Sequence, residues 1–268
     1  MRVQKRAHGR FEAALLALVP VSMCVSLVAG LANAALLMLV VVTLVLALFF
    51  LGYDRSRPAL RQIVPTLVLA ALAAAGRILF APVPDFKPLS AIAIIAGATL
   101  GPRNGFMVGS LAALTSNFFF GQGMWSPWQM YAWGLIGYLG GVASDAGILP
   151  DASVAHGRGY RGSDGPESPS ACSGGGASPI ARSERTWLAR LGLFGLFSGL
   201  LYGAIINAYG VLGFVRPLTA PGAAAYVAAS FPFDMVHGVA TAVFLIVLYR
   251  PWTRRIKRVV RKFDLRGD

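Results

Sequence analysis

Long apolar stretches, separated by short polar, proline-rich or glycine-rich breaks, dominate the chain. A helix that crosses the roughly 30 Å hydrocarbon core of a membrane needs about 20 mostly apolar residues, since each residue rises about 1.5 Å. Most of the stretches have that length, whereas 89–101 and 106–120 are either two short spans or a re-entrant hairpin. The pattern predicts an all-α integral membrane protein of about eight spans: 11–30, 31–51, 60–80, 89–101, 106–120, 128–149, 187–212 and 231–249.

The breaks divide the chain into five segments. Residues 1–57 hold a basic N-terminus and a transmembrane hairpin, which we prefer to a cleaved signal peptide because its first apolar run leads directly into a second. Residues 58–149 hold four predicted helices, and 187–250 hold two more. Between them, 150–186 is rich in Gly, Ser and Pro, which is typical of a flexible linker. The last segment, 251–268, is a basic tail.

The positions of the charges predict the topology. Hydrophobic residues make up 56% of the chain and charged residues 13%, about half the roughly 25% charge of a soluble domain. With the N-terminus inside, 21 of the 24 Lys and Arg residues fall on the cytoplasmic side, which leaves Arg77, Lys87 and Arg216 outside. That bias predicts a multi-pass protein of the cell membrane with both termini in the cytoplasm. It explains the net charge of +13 without nucleic acid, and the basic tail is expected to touch anionic lipid.

No nucleotide, metal or catalytic motif is visible in the sequence. It contains no Gly-x-x-x-x-Gly-Lys-Ser/Thr loop, no His-Glu-x-x-His and no Gly-x-Ser-x-Gly. The two cysteines, Cys24 and Cys172, have no metal-type spacing. We therefore expect no metal, no cofactor and no nucleotide site, and any uphill transport would draw its energy from a partner protein.

Polar and aromatic side chains collect at the predicted outer ends of the last six spans. An ionisable residue within a span is costly and usually functional. Charged groups next to large aromatic rings suit a polar or partly charged ligand with a flat ring. The candidate ligand contacts are Arg77, Lys87, Asn117, Gln122, Trp125, Trp128, Gln129, Asn207, Asp234 and His237.

Each group also has a purely structural interpretation. Trp125 and Trp128 fit an aromatic belt at headgroup depth, and the two asparagines fit hydrogen bonds between helices. Asp234 and His237 lie one helical turn apart, so they either pair with each other, pair with Arg77 or contact the ligand. No third ligand or nucleophile stands beside them in the sequence, which disfavours a metal or catalytic role.

Small residues are concentrated on the 60–80 helix. Two pairs of alanines, each with a spacing of four residues, place small side chains one turn apart on the helix surface. Such a surface allows close packing between helices in lipid, either within the bundle or against another protein. The residues of this candidate docking face are Ala70, Ala71, Ala74 and Ala75.

Between about 60 and 249 the chain resembles the substrate-binding S components of energy-coupling factor (ECF) transporters, with the linker as an insertion. The resemblance is carried by 86–105, which opens on Phe86-Lys87-Pro88, and by 117–130. A third stretch is Phe231-Pro232-Phe233-Asp234-Met235-Val236-His237. The most specific is the middle one: Asn117-Phe118-Phe119-Phe120-Gly121-Gln122-Gly123-Met124-Trp125-Ser126-Pro127-Trp128-Gln129-Met130.

The resemblance implies a six-helix S-component-like bundle, to which this chain adds the N-terminal two-helix hairpin. It implies binding of a vitamin or related micronutrient at the outer side, and the residues favour a riboflavin-like or cobalamin-like ligand. The alanine face would dock onto a transmembrane coupling protein that carries two ATPase subunits, and transport would follow toppling of the S component. The hairpin and the linker depart from the family's pattern.

Two other functions remain open. One is a membrane-embedded enzyme that acts on a lipid or polyprenyl substrate, with Asp234 and His237 as acid and base. The other is a membrane scaffold protein that uses the alanine face and the basic tail and binds no small molecule. Saturable binding of a micronutrient by the isolated chain separates the capture subunit from both.

Overall fold

The computed structural model describes residues 2–29, 34–55, 58, 60–150 and 179–262, and these residues form eight α-helices and no strand. An all-helical fold is therefore confirmed for this part of the chain. In chain order the helices are α1 (Arg2–Ala29), α2 (Ala34–Arg55), α3 (Leu60–Leu79), α4 (Leu89–Leu100), α5 (Pro102–Phe120), α6 (Ser126–Asp145), α7 (Pro179–Phe214) and α8 (Ala220–Lys262).

Three of the described helices are long and apolar enough to cross a membrane: Ala35–Arg55, Glu184–Phe214 and Ala220–Lys262. Their outward faces carry large exposed apolar side chains, such as Leu44 on α2 and Val247 on α8. Many large exposed apolar side chains are typical of contact with a membrane rather than with water. The chain is therefore a membrane-associated helical protein.

The eight predicted spans are not all of equal length. Helix α4 has 12 residues and rises about 18 Å, which is shorter than the hydrocarbon core. Its residues from Leu89 to Thr99 are all buried. The apolar side chains of the run at 89–101 therefore contact other parts of the protein rather than lipid. Helix α4 is a core helix that is too short to span the membrane alone.

Helices α7 and α8 are longer than predicted. Helix α7 begins at Pro179, so the end of the predicted linker 150–186 is helical, and the rest of the linker from 151 to 178 lies outside the described residues. Helix α8 includes both the small-residue stretch before 231 and the basic tail as far as Lys262. Hydropathy shows where an apolar run ends but not where the helix ends. Arg, Lys and Glu are good helix formers, so both helices continue through charged residues. An ion pair of 3.1 Å between Arg250 and Glu184 joins the two extensions.

Glycines bring α4, α5 and α6 into backbone contact. Gly97 on α4 and Gly105 on α5 both lie against Gly137 of α6. A Cβ atom on Gly105 would overlap the Gly137 carbonyl group. Contact between small residues lets helices in lipid approach closely enough for extensive van der Waals packing. These glycines therefore set the positions of the helices that carry half of the candidate site.

A similar row of glycines joins α7 to α8. The three glycines on α7 are spaced by four residues, so they lie on one face of the helix. Their neighbours on α8 are close enough that a side chain at any of the three would overlap them. The pairs are Gly195 with Ala242, Gly199 with Gly238, and Gly203 with the Asp234 carboxylate.

The N-terminal hairpin packs mainly on α6 and α7, and one of its polar contacts with the bundle depends on a proline. Pro20 has no N–H, so the carbonyl oxygen of Leu16, four residues earlier, lacks its usual helical donor. The hydroxyl of Tyr131 on α6 donates to that oxygen at 2.6 Å. A proline that looks like a simple kink in the sequence therefore creates an acceptor that ties α1 to the bundle.

Tyr131→Phe is expected to lower the free energy of unfolding by about 1–3 kcal/mol, because it leaves the buried Leu16 carbonyl without a donor. Denaturation of the detergent-solubilised chain measures this change. Pro20→Ala restores a backbone donor, so in that background the same substitution should cost clearly less. An equal cost in both backgrounds would refute this role of the tyrosine.

The four alanines of the candidate docking face do not form one surface. Ala70 and Ala74 are buried within the bundle, whereas Ala71 and Ala75 are exposed. The two pairs begin one residue apart, and successive residues on an α-helix point about 100° apart. The internal-packing alternative therefore holds for Ala70 and Ala74, and only the other pair is open to a partner.

Candidate functional site

The predicted site residues lie at the end of the bundle where α3 and α5 end and α4 and α6 begin. Arg77, in the last turn of α3, is only 6% exposed. Its Nη1 atom donates to Ser116 Oγ and Asn117 Oδ1, each at 2.6 Å. Its Cζ atom lies 4.7 Å from the ring centroids of both Phe120 and Trp133, a cation–π distance. Groups from α5 and α6 thus surround a buried cation of α3.

Asn117 connects Arg77 to the start of α6. Its Nδ2 atom donates to Gln129 Oε1 at 2.9 Å and to Ser126 Oγ at 3.3 Å. The side chain is fully buried, and a buried amide is costly unless its donors and acceptor are used. Asn117 is therefore a hydrogen-bonding link between three helices, and Gln129 is brought into the same network.

His237 is at the centre of a second group of buried side chains. Its Nε2 atom lies 2.8 Å from Ser90 Oγ on α4, and the same oxygen accepts from Trp133 Nε1 at 3.1 Å. Its ring stacks on Tyr202 of α7, with centroids 4.5 Å apart and planes at 19°. The Tyr202 ring also lies 4.6 Å from that of Trp133. Aromatic rings from α6, α7 and α8 therefore form one continuous stack.

Asp234 has a different partner from His237, although the two residues share a helix face. Asp234 Oδ2 accepts from Asn207 Nδ2 of α7 at 2.8 Å. The predicted alternatives, a pair between Asp234 and His237 or a pair of either with Arg77, are not formed. The partner of Asp234 is on α7 and the partner of His237 is on α4, so the two side chains contact different neighbouring helices.

The loop at 80–88 adds two charges to this end of the bundle. Lys87 Nζ lies 5.9 Å from the Phe120 ring centroid. Burial lowers the pKa of the Lys87 ammonium, and the nearby carboxylate of Asp85 opposes that change. Burial likewise raises the pKa of the Asp85 carboxyl, which Lys87 and Arg77 oppose. Asp85 has a φ of 54°, a left-handed conformation that aspartate tolerates better than most residues.

The three remaining predicted residues differ in their surroundings. Trp128 is 1% exposed and its ring centroid lies 5.4 Å from that of Tyr209 on α7, so the aromatic-belt interpretation is wrong for it. Trp125 is 41% exposed and retains that interpretation. Gln122 is exposed and bonds the Leu114 carbonyl and Ser126 Oγ, which places it in the structure of the 121–125 loop.

Sequence reasoning missed Trp133, Tyr202 and Ser116. Trp133 follows Gln129 by four residues, so helical spacing places it one turn deeper on the same face. Ser116 precedes Asn117, and its hydroxyl also bonds backbone carbonyls of its own helix. Nothing local distinguishes Tyr202 from the other apolar and aromatic residues of α7.

No family model, curated protein or solved structure matches this chain.

The side chains that converge at the site indicate what it can bind. Among the described residues, no three His, Cys, Asp or Glu side chains come together as a metal site would require. The groups that do converge offer hydrogen bonds, the cations Arg77 and Lys87, the carboxylates Asp85 and Asp234, and stacked rings. This combination suits recognition of a polar ring compound.

Proposed function

We propose that the chain is the substrate-capture subunit of an ECF-type importer, binding a vitamin or related micronutrient at its outer side. One observation carries the proposal: polar and aromatic groups from all six helices α3 to α8 meet at one end of a bundle whose outside is apolar. The contributing residues are Arg77, Ser90, Asn117, Gln129, Trp133, Tyr202, Asn207, Asp234 and His237.

The position of this cluster supports binding rather than packing alone. Polar side chains inside a membrane bundle are costly, so most helix contacts use apolar or small residues. The glycine contacts among α4, α5 and α6 already hold that part of the bundle together without polar groups. A ligand that uses the hydrogen bonds and rings of the cluster would explain why the bundle contains polar side chains that are costly to bury.

We further propose that α3 to α8 form the S-component-like six-helix bundle in the cell membrane. Of the Lys and Arg residues, 21 of 24 fall on the side opposite the site when the spans alternate from an inner N-terminus. This bias supports cytoplasmic termini and an outward-facing site. Riboflavin-like and cobalamin-like compounds remain the first candidates, because both combine a large ring system with many polar groups.

Delivery inward is proposed to need an ECF transmembrane coupling protein and two ATPase subunits, since the chain has no P-loop of its own. The exposed side of α3 supports such docking, because Ala71 and Ala75 remain open with the N-terminal hairpin in place. Beside them, a groove of about 730 Å³ runs between α3 and α8, and its lining includes Leu72, Leu79 and Phe244.

The test is a thermal-unfolding and mass-spectrometry screen of the detergent-purified full chain against riboflavin, cobalamin and the other water-soluble vitamins. One compound should stabilise the chain saturably, by about 2.7 kcal/mol at 100 times its Kd. Asn207→Ala should weaken its binding by removing the partner of Asp234, whereas the exposed Arg216→Gln should leave it unchanged. If no compound stabilises the chain, the proposal fails.

A second candidate function, a membrane enzyme acting on a lipid or polyprenyl substrate, is favoured by one contact. Ser90 Oγ and His237 Nε2, 2.8 Å apart, have the distance of a nucleophile and its base. Against it, the only carboxylate on this face of α8, Asp234, bonds Asn207 instead of orienting the histidine. Labelling of the chain by a fluorophosphonate, lost in Ser90→Ala, would favour the enzyme.

A further inference from the structure

At the site end of the bundle, two buried N–H groups have no acceptor among the described residues. They are Nε of Arg77 and Nε1 of Trp128, and neither side chain is more than 6% exposed. The two belong to one neighbourhood, because Arg77 bonds Asn117, and Asn117 bonds Gln129, the residue next to Trp128. Buried donors without acceptors are uncommon in folded proteins, and each calls for an explanation.

The charge of Arg77 also lacks a paired carboxylate in the part of the chain that the structure describes. Arg250, at the opposite end, also has a buried Nε without an acceptor among the described residues, but its charge is compensated, since Nη2 lies 3.1 Å from the carboxylate of Glu184. Among the described residues no carboxylate forms an ion pair with Arg77, because Asp234 is bonded to Asn207 and Asp85 acts only at longer range. Two neutral acceptors and two aromatic rings compensate this buried cation in part, and an anion would compensate it more fully.

Phe120 covers this cation and is placed to move. Its ring lies 4.7 Å from Arg77 Cζ and 5.9 Å from Lys87 Nζ, so one side chain covers two cations. It is the last residue of α5 and is 38% exposed. Gly121, which follows it, has a φ of 95°, a conformation that glycine adopts without strain. A rotation of this one ring would remove one of the two rings that contact Arg77 and the ring that contacts Lys87.

We infer that the ligand of this site carries a carboxylate or phosphate group, which displaces the Phe120 ring and pairs with the Arg77 guanidinium. The anion supplies the acceptor that Arg77 Nε lacks, and Lys87 attracts it from the loop. Asn207 and Asp234, on the other side of the stack, then receive the hydrogen-bond donors of the same molecule. This inference rests on the proposed capture function and narrows its substrate class.

Matched pairs of compounds that differ in an anionic group provide the test. The pairs are nicotinate with nicotinamide, biotin with biotinamide, pyridoxal phosphate with pyridoxal, riboflavin phosphate with riboflavin, and cobinamide phosphate with cobinamide. Binding is measured on the full chain in nanodiscs of neutral phosphatidylcholine. In the pair that binds, the anionic member should bind about 10- to 100-fold more tightly, as expected for a charge-assisted hydrogen bond.

Arg77→Gln keeps a hydrogen-bonding side chain but removes the charge, so it should reduce this ratio to near one. Arg77→Lys should retain part of the preference, and the exposed Arg216→Gln should retain all of it. Thermal unfolding of each unliganded variant separates loss of binding from loss of folding. If Arg77→Gln does not fold, Lys87→Gln provides the second test, and a several-fold decrease of the ratio is expected.

The outcomes distinguish this inference from the proposed function. Equal binding of the two members of a pair, or an unchanged preference in a folded Arg77→Gln variant, would overturn the anionic ligand but leave a capture subunit. Binding of no compound would overturn both. Stabilisation by phosphatidylglycerol alone, lost in Arg77→Gln, would assign the anion to a lipid headgroup and overturn the inference as well.

Discussion

Gly137→Ala is expected to lower the free energy of unfolding by about 3 kcal/mol, because overpacking of a close contact has a cost of that order. The added methyl group would overlap the carbonyl group of Gly105 on α5, and the Gly97 backbone on α4 is in contact with the same surface. Both neighbours are helix backbone, which does not move aside as a flexible side chain does. The measurement is a denaturant or SDS titration of the purified chain in mixed micelles.

A matched control is available on α7. A Cβ atom at Gly192 would meet no atom within 4 Å, so Gly192→Ala is expected to be neutral or to stabilise the helix by up to about 1 kcal/mol. Opposite effects at the two glycines would separate close helix contact from helix propensity. Similar effects of both substitutions would contradict the packing of α4, α5 and α6 described above.

His237→Ala is expected to lower the free energy of unfolding by about 3 kcal/mol, since truncation of a large buried side chain leaves a cavity. The substitution removes a ring stacked at 4.5 Å on Tyr202 and the hydrogen-bonding partner of Ser90. Thermal unfolding of the unliganded chain provides the measurement. Val239→Ala, two residues further along α8 on an exposed position, should change the midpoint far less.

His237→Phe separates the two contributions of the histidine. It retains an aromatic ring on Tyr202 but loses the hydrogen bond to Ser90, so it should cost about 1–2 kcal/mol. In a Ser90→Ala background this substitution should cost less, because the hydrogen bond is already gone. Additive effects of the two substitutions would show that the 2.8 Å contact contributes nothing to stability.

The two predictions concern the same structural property, namely that the candidate site is assembled by helix packing. Glycine contacts position α4, α5 and α6, and Gly203 allows α7 to approach the Asp234 carboxylate on α8. A change in the spacing of these helices would therefore move Asn117, Ser90 and Asp234 relative to one another. Ligand affinity should accordingly decrease in folded variants of these glycines, even though none of the glycines is a proposed ligand contact.

Much of the architecture followed from local properties of the chain. The apolar runs predicted one helix for each of the eight that the structure describes, although α7 and α8 extend beyond their runs, because an apolar segment in lipid must satisfy its backbone hydrogen bonds within a helix. Prolines and glycines at 81–88 and 121–127 marked the turns between helices. The clustering of polar residues at one set of helix ends also followed, since alternating spans bring every second break to the same side.

The partners within the cluster depended on the tertiary structure. From the sequence, Asp234 and His237 were equally suited to pair with each other or with Arg77, because one helix face was all that spacing defined. Helix packing instead placed Asn207 beside Asp234 and Ser90 beside His237. The surroundings of Trp128 and of the alanine pairs of α3 were also open, because hydropathy does not tell whether an apolar side chain contacts lipid or protein.

Two further interactions use residues that are visible in the sequence but depend on how the helices pack. The sequence contained Pro20 and Tyr131, but only their folding into adjacent helices made the Leu16 carbonyl an acceptor for the tyrosine hydroxyl. Likewise, Arg77 was visible as a charge near a predicted span end, whereas the packed bundle decides that no described carboxylate pairs with it. Periodicity and hydropathy act over one helix at a time, and contacts between helices depend on residues far apart in the chain.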